Sequence, residues 1–167
     1  EIRAAVVENG ATLELFIERA SRSGIVGNLY KGRVSRVLPG MQAAFVDIGL
    51  ERTAFLHAAD IARAVPAEAE GAAPPVPDIG QLVREGDDIL VQVIKDPIGT
   101  KGARLSTFIS LPSRFVVYMP YSSGVGVSAR IEEPAERERL RDAVRAAAAG
   151  GPGGWIVRTA GGQAPLE

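Results

Sequence analysis

Phe45 and Phe55 lie in two short apolar runs, 42–48 and 53–57, joined by the turn Gly49-Leu-Glu-Arg52. Each run has the length and make-up of a strand. Rings on successive strands of a small β-barrel, with cations nearby, stack the bases of a single-stranded nucleic acid and hold its phosphates. Lys31, Arg33 and Arg36, on or near the preceding strand, are placed for non-specific phosphate contacts. Tyr30 either stacks as well or packs at the barrel end. Two core rings are the competing interpretation, since Phe45 has Ala and Val as neighbours.

No residue type present suggests catalysis. His57 is the one histidine and follows a strand, as a surface or packing residue does. There is no Cys, so disulfides and thiolate metal sites are excluded within the chain, and the expected compartment is the cytoplasm. The acid pairs Asp87-Asp88 and Glu132-Glu133 lack a neighbouring nucleophile or ligand set and suit turn and cap positions. Catalytic residues and metal ligands are therefore both expected to be none.

The net charge of −1 speaks against a free-standing nucleic-acid binder unless charge is segregated. Along the sequence it is. Arg19, Arg22, Lys31, Arg33 and Arg36 run without an intervening acid, while acids gather at Glu68, Glu70, Asp78, Glu85, Asp87 and Asp88, and again at 132–138. Such segregation steers a polyanion to one face, and a solvated surface with chance clustering is the alternative. No stretch approaches the roughly 18 apolar residues of a membrane helix. The chain begins at Glu1 without Met or signal-peptide pattern, which suggests a fragment of a longer protein.

The elements that must position these residues are mostly strands. Asn9-Gly10 predicts a tight hairpin turn between strands at 4–8 and 11–18. Leu13, Leu15 and Ile17 share one face of the second arm, and a lone hairpin is marginal, so it needs a partner sheet. Further strands are expected at 28–37, 42–48, 53–57, 89–95 and 103–111, with a short helix over 58–64 and a mobile, Ala/Pro/Glu/Gly-rich insertion over 65–78. Five strands with this turn chemistry fit a Greek-key barrel of the OB type. A second unit follows: a strand at 115–119, a Gly/Ser loop at 121–128, a helix at 134–149 opened by Pro134 and stopped by Gly150-Gly151, and a strand at 155–158. The fold class is mainly β with some α.

Asn28-Leu-Tyr-Lys-Gly-Arg-Val34, Ala43-Ala-Phe-Val-Asp-Ile-Gly49, Arg52-Thr-Ala-Phe-Leu-His57, Val83-Arg-Glu-Gly-Asp87, Lys101-Gly-Ala-Arg-Leu-Ser-Thr-Phe-Ile-Ser-Leu111, Ser128-Ala-Arg-Ile-Glu132 and Ile156-Val-Arg-Thr-Ala-Gly161 occur in one order along the chain. As an ordered set they resemble the amino-terminal part of the ribonuclease E/G family of bacterial endoribonucleases. The resemblance implies the first piece of an RNase H-like subdomain at 1–24, an OB barrel of the ribosomal S-one type at 25–107, and part of an RNA 5′-sensor domain at 108–167. It places the family's catalytic domain, with its magnesium-binding aspartates and the Cys-bearing zinc link between protomers, outside this chain. The parent would be a homo-oligomeric, magnesium-dependent endoribonuclease of RNA processing and decay, and its partner single-stranded RNA, preferably 5′-monophosphorylated.

By the same resemblance Phe45 and Phe55 stack bases, and Lys101, in a Gly-containing turn, reaches a phosphate as a point charge. Lys31 and Arg33 join them. Arg158 and Thr159 would grip the terminal phosphate, by a guanidinium fork and a hydroxyl, with Val117 and Arg130 nearby. Where the family pattern leads one to expect Gly, the chain has Ser113. A stand-alone OB module that binds RNA without cutting is the alternative function, and a protein-binding scaffold a more distant one.

Overall fold

A computed structural model describes residues 1–19, 24–62, 76–148 and 150–162 of the protein. The first element is the hairpin β1 (Ile2–Glu8) and β2 (Ala11–Glu18). Its turn has positive φ at both Asn9 and Gly10, 51° and 80°, the geometry that Asn-Gly tolerates best. Ile2, Leu13, Leu15, Phe16 and Ile17 are all exposed, so among the described residues nothing covers the hairpin.

Five strands then close a barrel in the order β3-β4-β5-β7-β6: β3 (Leu29–Leu38), β4 (Ala43–Asp47), β5 (Ala54–His57), β6 (Asp88–Lys95) and β7 (Arg104–Ser106). β5 and β7 run parallel and the other pairs antiparallel. This is the expected OB-type barrel. Period-two alternation builds its interior: Val34, Ala44, Val46, Ala54, Leu56, Val91, Val93 and Leu105 point inward and are buried. The long strand β3 serves two neighbours, β6 along its first half and β4 along its second. Gly32 allows the bend between them, since a Cβ there would lie 2.6 Å from Val46 Cγ1.

One end of the barrel is closed by α1 (Ile79–Leu82), whose Ile79 is fully buried. Asp78 caps α1 through the Gly80 N–H. Gln42, left-handed at φ 49°, donates to Asp78 and accepts from the Ile79 N–H. The hydrogen bond from the Gln42 side chain, with the one from the Gly80 N–H, holds the Asp78 carboxyl below its ordinary pKa.

Beyond the barrel a four-stranded sheet has the order β10-β11-β9-β8, from β8 (Leu111–Pro112), β9 (Val116–Met119), β10 (Val125–Val127) and β11 (Gly154–Val157). Helix α2 (Pro134–Ala148) packs on one face through Leu140 and Val144, against Val116, Ile131 and Val157. Gln92 ties this unit to the barrel by donating to the Gly27 and Ser110 carbonyls and accepting from the Ser110 N–H.

Three expectations need correction. Over the described part of the helix expected at 58–64, residues 58–62, there is a single 3-10 turn, Ala58–Asp60, because the Ala62 N–H bonds to Thr107 Oγ1 instead of continuing a helix. The strand expected over 103–111 breaks after Ser106, where Ser106 Oγ accepts from Phe108 N–H and Thr107 N–H turns to the Asp60 carbonyl. The Gly/Ser loop at 121–128 contains β10, which pairs in parallel with β11. The insertion expected over 65–78 falls mostly on residues 63–75, outside the described residues, as does Arg22.

Leu56→Ala should lower stability by about 2–5 kcal/mol, the usual result of emptying a packed core site. Phe45→Ala should cost about 1 kcal/mol, the loss of one ring–ring contact. Urea unfolding followed by circular dichroism measures both. Equal losses would place Phe45 inside the barrel, contrary to the register described.

Candidate nucleic-acid interface

The barrel's alternation decides where the two rings go. Ala44 and Val46 flank Phe45, Ala54 and Leu56 flank Phe55, and all four of these neighbours are fully buried. Phe45 and Phe55 therefore project outward, only partly buried, and they sit directly opposite each other on β4 and β5. Their centroids lie 6.2 Å apart at 71°, an edge-to-face pair. Both rings line an open groove of about 1010 Å³ together with Met41, Ile98, Lys101 and Arg104.

Lys101 reaches this groove because its turn is pinned on both sides. Ile98 and Lys101 exchange two backbone hydrogen bonds, and the Arg52 guanidinium donates to the Gly99 carbonyl. Gly102 lies so close to β5 that a Cβ would collide with the Thr53 carbonyl oxygen. That close approach sets Lys101 at the edge of the ring pair. Arg104, beside Phe55 in register, is held by Asp60 at 2.8 Å, so its charge is balanced within the protein. The groove thus offers aromatic faces, aliphatic walls and the cations Arg52, Lys95 and Lys101 beside the carboxylates Glu51 and Asp96, and rings with cations at hand can stack bases of any identity and meet a phosphate backbone.

Lys31 and Arg33 stand apart from the rings. Both lie where β3 pairs with β6, and both face Asp88, at 3.0 and 3.8 Å. The hydrogen bond from Lys31, then its charge, and to a lesser degree Arg33, hold the Asp88 carboxyl below its ordinary pKa. The separation of acids from bases seen along the sequence therefore does not persist in space. The acidic stretch around Asp87-Asp88 folds onto the basic strand, and Glu85 accepts from the Val37 N–H of that same strand. His57 acts locally, its Nδ1 accepting from the Ala59 N–H to cap the 3-10 turn.

The second cluster lies on the four-stranded sheet. Arg158 follows β11, is exposed, and donates through Nη1 to the Ser113 carbonyl at 2.6 Å. Ser113 contributes by its backbone, so the absence of Gly there leaves this contact available. Thr159 shares a hydrogen bond with Ser128 at 3.1 Å, and Ser128 Oγ also meets the Arg130 N–H. Arg130 is thereby brought beside Thr159. Val117 pairs with Ile156 in register, on the face away from α2 that leads to Arg158. Gly161 closes the turn after Thr159, where a Cβ would meet Val157 Cγ1 at 2.8 Å. Ser128 and Arg137 went unforeseen as supports. Arg137 donates to the carbonyls of Val127, Ser128 and Ile131 and holds the 127–131 loop in place. Only its position one turn into α2, directly after that loop, signals the role.

Among the described residues no group of three or more His, Cys, Asp or Glu is arranged to hold a metal ion, and no helix is long and apolar enough to cross a membrane.

Comparison with known proteins follows the same division. The S1 RNA binding domain matches residues 25–108, and the Ribonuclease E/G family matches residues 110–167. Ribonuclease G of Escherichia coli (strain K12) is 59% identical over 163 residues, covering 96% of this chain and 33% of that protein. Ribonuclease G of Haemophilus influenzae is 58% identical over 167 residues, with the same coverage, 96% and 33%. Ribonuclease E of Escherichia coli (strain K12) is 38% identical over 161 residues, 96% of this chain and 15% of that protein. The chain thus spans about a third of the length of its ribonuclease G relatives.

The ion pair on β3 has a pH signature. Asp88 titrates below the ordinary aspartate range, so the pair persists at neutral pH and is lost only as acid protonates Asp88 at that lowered value. In Lys31→Gln the Asp88 midpoint should rise toward the ordinary value, measured by carboxyl NMR titration. An unchanged midpoint would show that Lys31 is not its partner.

Proposed function

The chain belongs to the ribonuclease E/G family and carries an S1 RNA binding domain, and from that premise we propose that it holds single-stranded RNA and senses its 5′ end within a larger endoribonuclease. The observation that carries the proposal is the outward pair Phe45–Phe55 above a groove edged by Lys101. Stacking on such rings is worth roughly 1–3 kcal/mol per base and needs no particular sequence. Lys31 and Arg33 add phosphate contacts only by loosening their hold on Asp88, so their share is smaller.

At the other site Arg158, Thr159, Val117 and Arg130 receive a terminal 5′-monophosphate. Arg158 keeps guanidinium N–H groups beyond the one given to Ser113, and the Thr159 hydroxyl, already oriented by Ser128, supplies a second polar contact. A triphosphate, bulkier and more charged, fits such a pocket less well. The β1–β2 hairpin, apolar and uncovered, is the first piece of an RNase H-like subdomain completed by other parts of the parent. The cut, in the cytoplasm, would fall to residues outside these 167, where a magnesium ion would supply an activated water. The zinc link and the homo-oligomer also belong to that larger protein.

A titration of the chain with a short single-stranded RNA, carrying either a 5′-monophosphate or a 5′-hydroxyl, tests both parts. The monophosphate should bind roughly tenfold tighter, as one or two charge-assisted hydrogen bonds would give. Arg158→Ala should erase that difference and leave hydroxyl-RNA binding intact. Phe45→Ala should weaken both RNAs. Equal binding of the two RNAs would overturn the 5′-sensing part, and no binding of either would overturn the whole proposal.

A further inference from the structure

Arg158 is held by one short turn. Its guanidinium donates to the Ser113 carbonyl at 2.6 Å, and its backbone N–H donates to the Phe115 carbonyl at 2.7 Å. Both acceptors lie in the turn between β8 and β9, which the Ser113 N–H closes on the Val116 carbonyl. Gly161, in the 3-10 turn that carries Thr159, packs against this same turn, since a Cβ there would lie 3.3 Å from the Phe115 carbonyl oxygen. The residue between the two acceptors is Arg114. Its Cα is one peptide unit, about 3.8 Å, from those of Ser113 and Phe115. The fold therefore fixes the root of a second arginine beside the first.

Arg114 is exposed, and among the described residues it has neither an ion pair nor a hydrogen bond. What it touches is the ring of Phe115, with the guanidinium carbon 4.9 Å from the ring centroid. A ring beneath a guanidinium orders the side chain by cation–π attraction and takes none of its N–H groups. The planar fork stays available, and its geometry suits phosphate oxygens. Other arginines of the chain are committed: Arg104 is balanced by Asp60 and Arg145 by Asp142, and Arg137 gives its donors to loop carbonyls. Arg158, like Arg114, has no carboxylate partner among the described residues. Unneutralised charge of one sign, gathered at one place, favours an anion that carries more than one charge.

We propose that Arg114 binds the first phosphodiester of the RNA, one nucleotide beyond the 5′-monophosphate held by Arg158 and Thr159. The site then reads two phosphates joined by one nucleoside. An RNA end has that pair, and a free mononucleotide with the same terminal phosphate lacks it. Once the terminal phosphate is seated, the second contact is intramolecular, so even a modest contact adds to affinity. This inference rests on the 5′-sensing proposal and adds to it one residue and the second phosphate.

A coupling measurement tests it. The full chain is titrated with a 5′-monophosphorylated oligouridylate of about ten nucleotides. The RNA is used in three forms: with natural linkages, with a neutral methylphosphonate at the first linkage, and with one near the 3′ end. Arg114→Gln should weaken binding of the natural RNA roughly 3- to 10-fold, as loss of one exposed charge-assisted contact does. It should weaken the RNA that is neutral near its 3′ end by the same factor. With the RNA neutral at its first linkage, Arg114→Gln should have no further effect, because the two changes then remove one and the same contact. For the natural RNA the slope of log affinity against log salt should fall by about 0.7 in the variant, one counterion per phosphate. A role confined to holding the turn or Arg158 would weaken all three RNAs alike, and that result would overturn the proposal. So would an Arg114→Gln variant that binds every RNA as the unaltered chain does. In both cases Arg158→Ala would still erase the preference for a 5′-monophosphate over a 5′-hydroxyl, and the 5′-sensing proposal would stand. If the unaltered chain shows no such preference, both are overturned.

Discussion

A closed barrel of five short strands has a narrow interior, and its register admits one side chain in two from each strand. Here the interior is taken by Val34, Ala44, Val46, Ala54, Leu56, Val91, Val93 and Leu105. Everything between those positions must face out. That constraint, more than any attraction of the rings for solvent, exposes Phe45 and Phe55. A one-residue slip of β4 or β5 would put that strand's phenyl ring where Ala, Val or Leu now fits and turn its present core residues to water. The ring face is thus as firmly specified as the core beneath it, and closure of the barrel fixes both at once.

The functional groups around the rings depend on the same closure. Lys101 is placed by the contact of Gly102 with β5, and that contact exists because β7 completes the barrel beside β5. Asp60 balances Arg104 and also accepts from Ser106 Oγ and the Thr107 N–H, so one residue after β5 ends the last barrel strand. Gln92, buried on β6, then holds the start of the next unit at Ser110. The Arg158–Thr159 cluster has its own support: α2 packs behind the sheet, and Arg137 reaches from it to the loop carbonyls that seat Ser128 beside Thr159. The hairpin is the exception. Among the described residues nothing covers its apolar side chains.

Most of the barrel was legible in the sequence because its strands announce themselves locally, by alternation and by the turn at 49–52. What escaped depended on distant partners. Val125-Gly-Val127 looks like loop among its Gly and Ser neighbours and becomes a strand only because β11, about thirty residues on, lies parallel to it. The Ala-rich stretch after His57 has helical composition, yet Thr107 takes two of its backbone groups, accepting from the Ala62 N–H through Oγ1 and donating its own N–H to the Asp60 carbonyl. The pairing of Lys31 and Arg33 with Asp88 was hidden because sequence separation is not spatial separation. The direction of Arg36 was hidden for a subtler reason: counting by twos puts it inside, and only the β-bulge between Val34 and Arg36, set by pairing with β4, turns it out. Of the candidate site, the ring pair and the Arg158-Thr159 cluster were foreseen, whereas their supports Ser128, Arg137 and Asp60 were not.

The central claim is that Phe45 and Phe55 meet RNA bases face on from the outside of the barrel. NMR of the chain bound to a short single-stranded RNA tests this most directly. The account predicts intermolecular cross-peaks between both phenyl rings and base protons, with ring-current shifts of those protons. Phenyl signals unchanged on RNA binding, with base contacts appearing elsewhere on the protein, would contradict it.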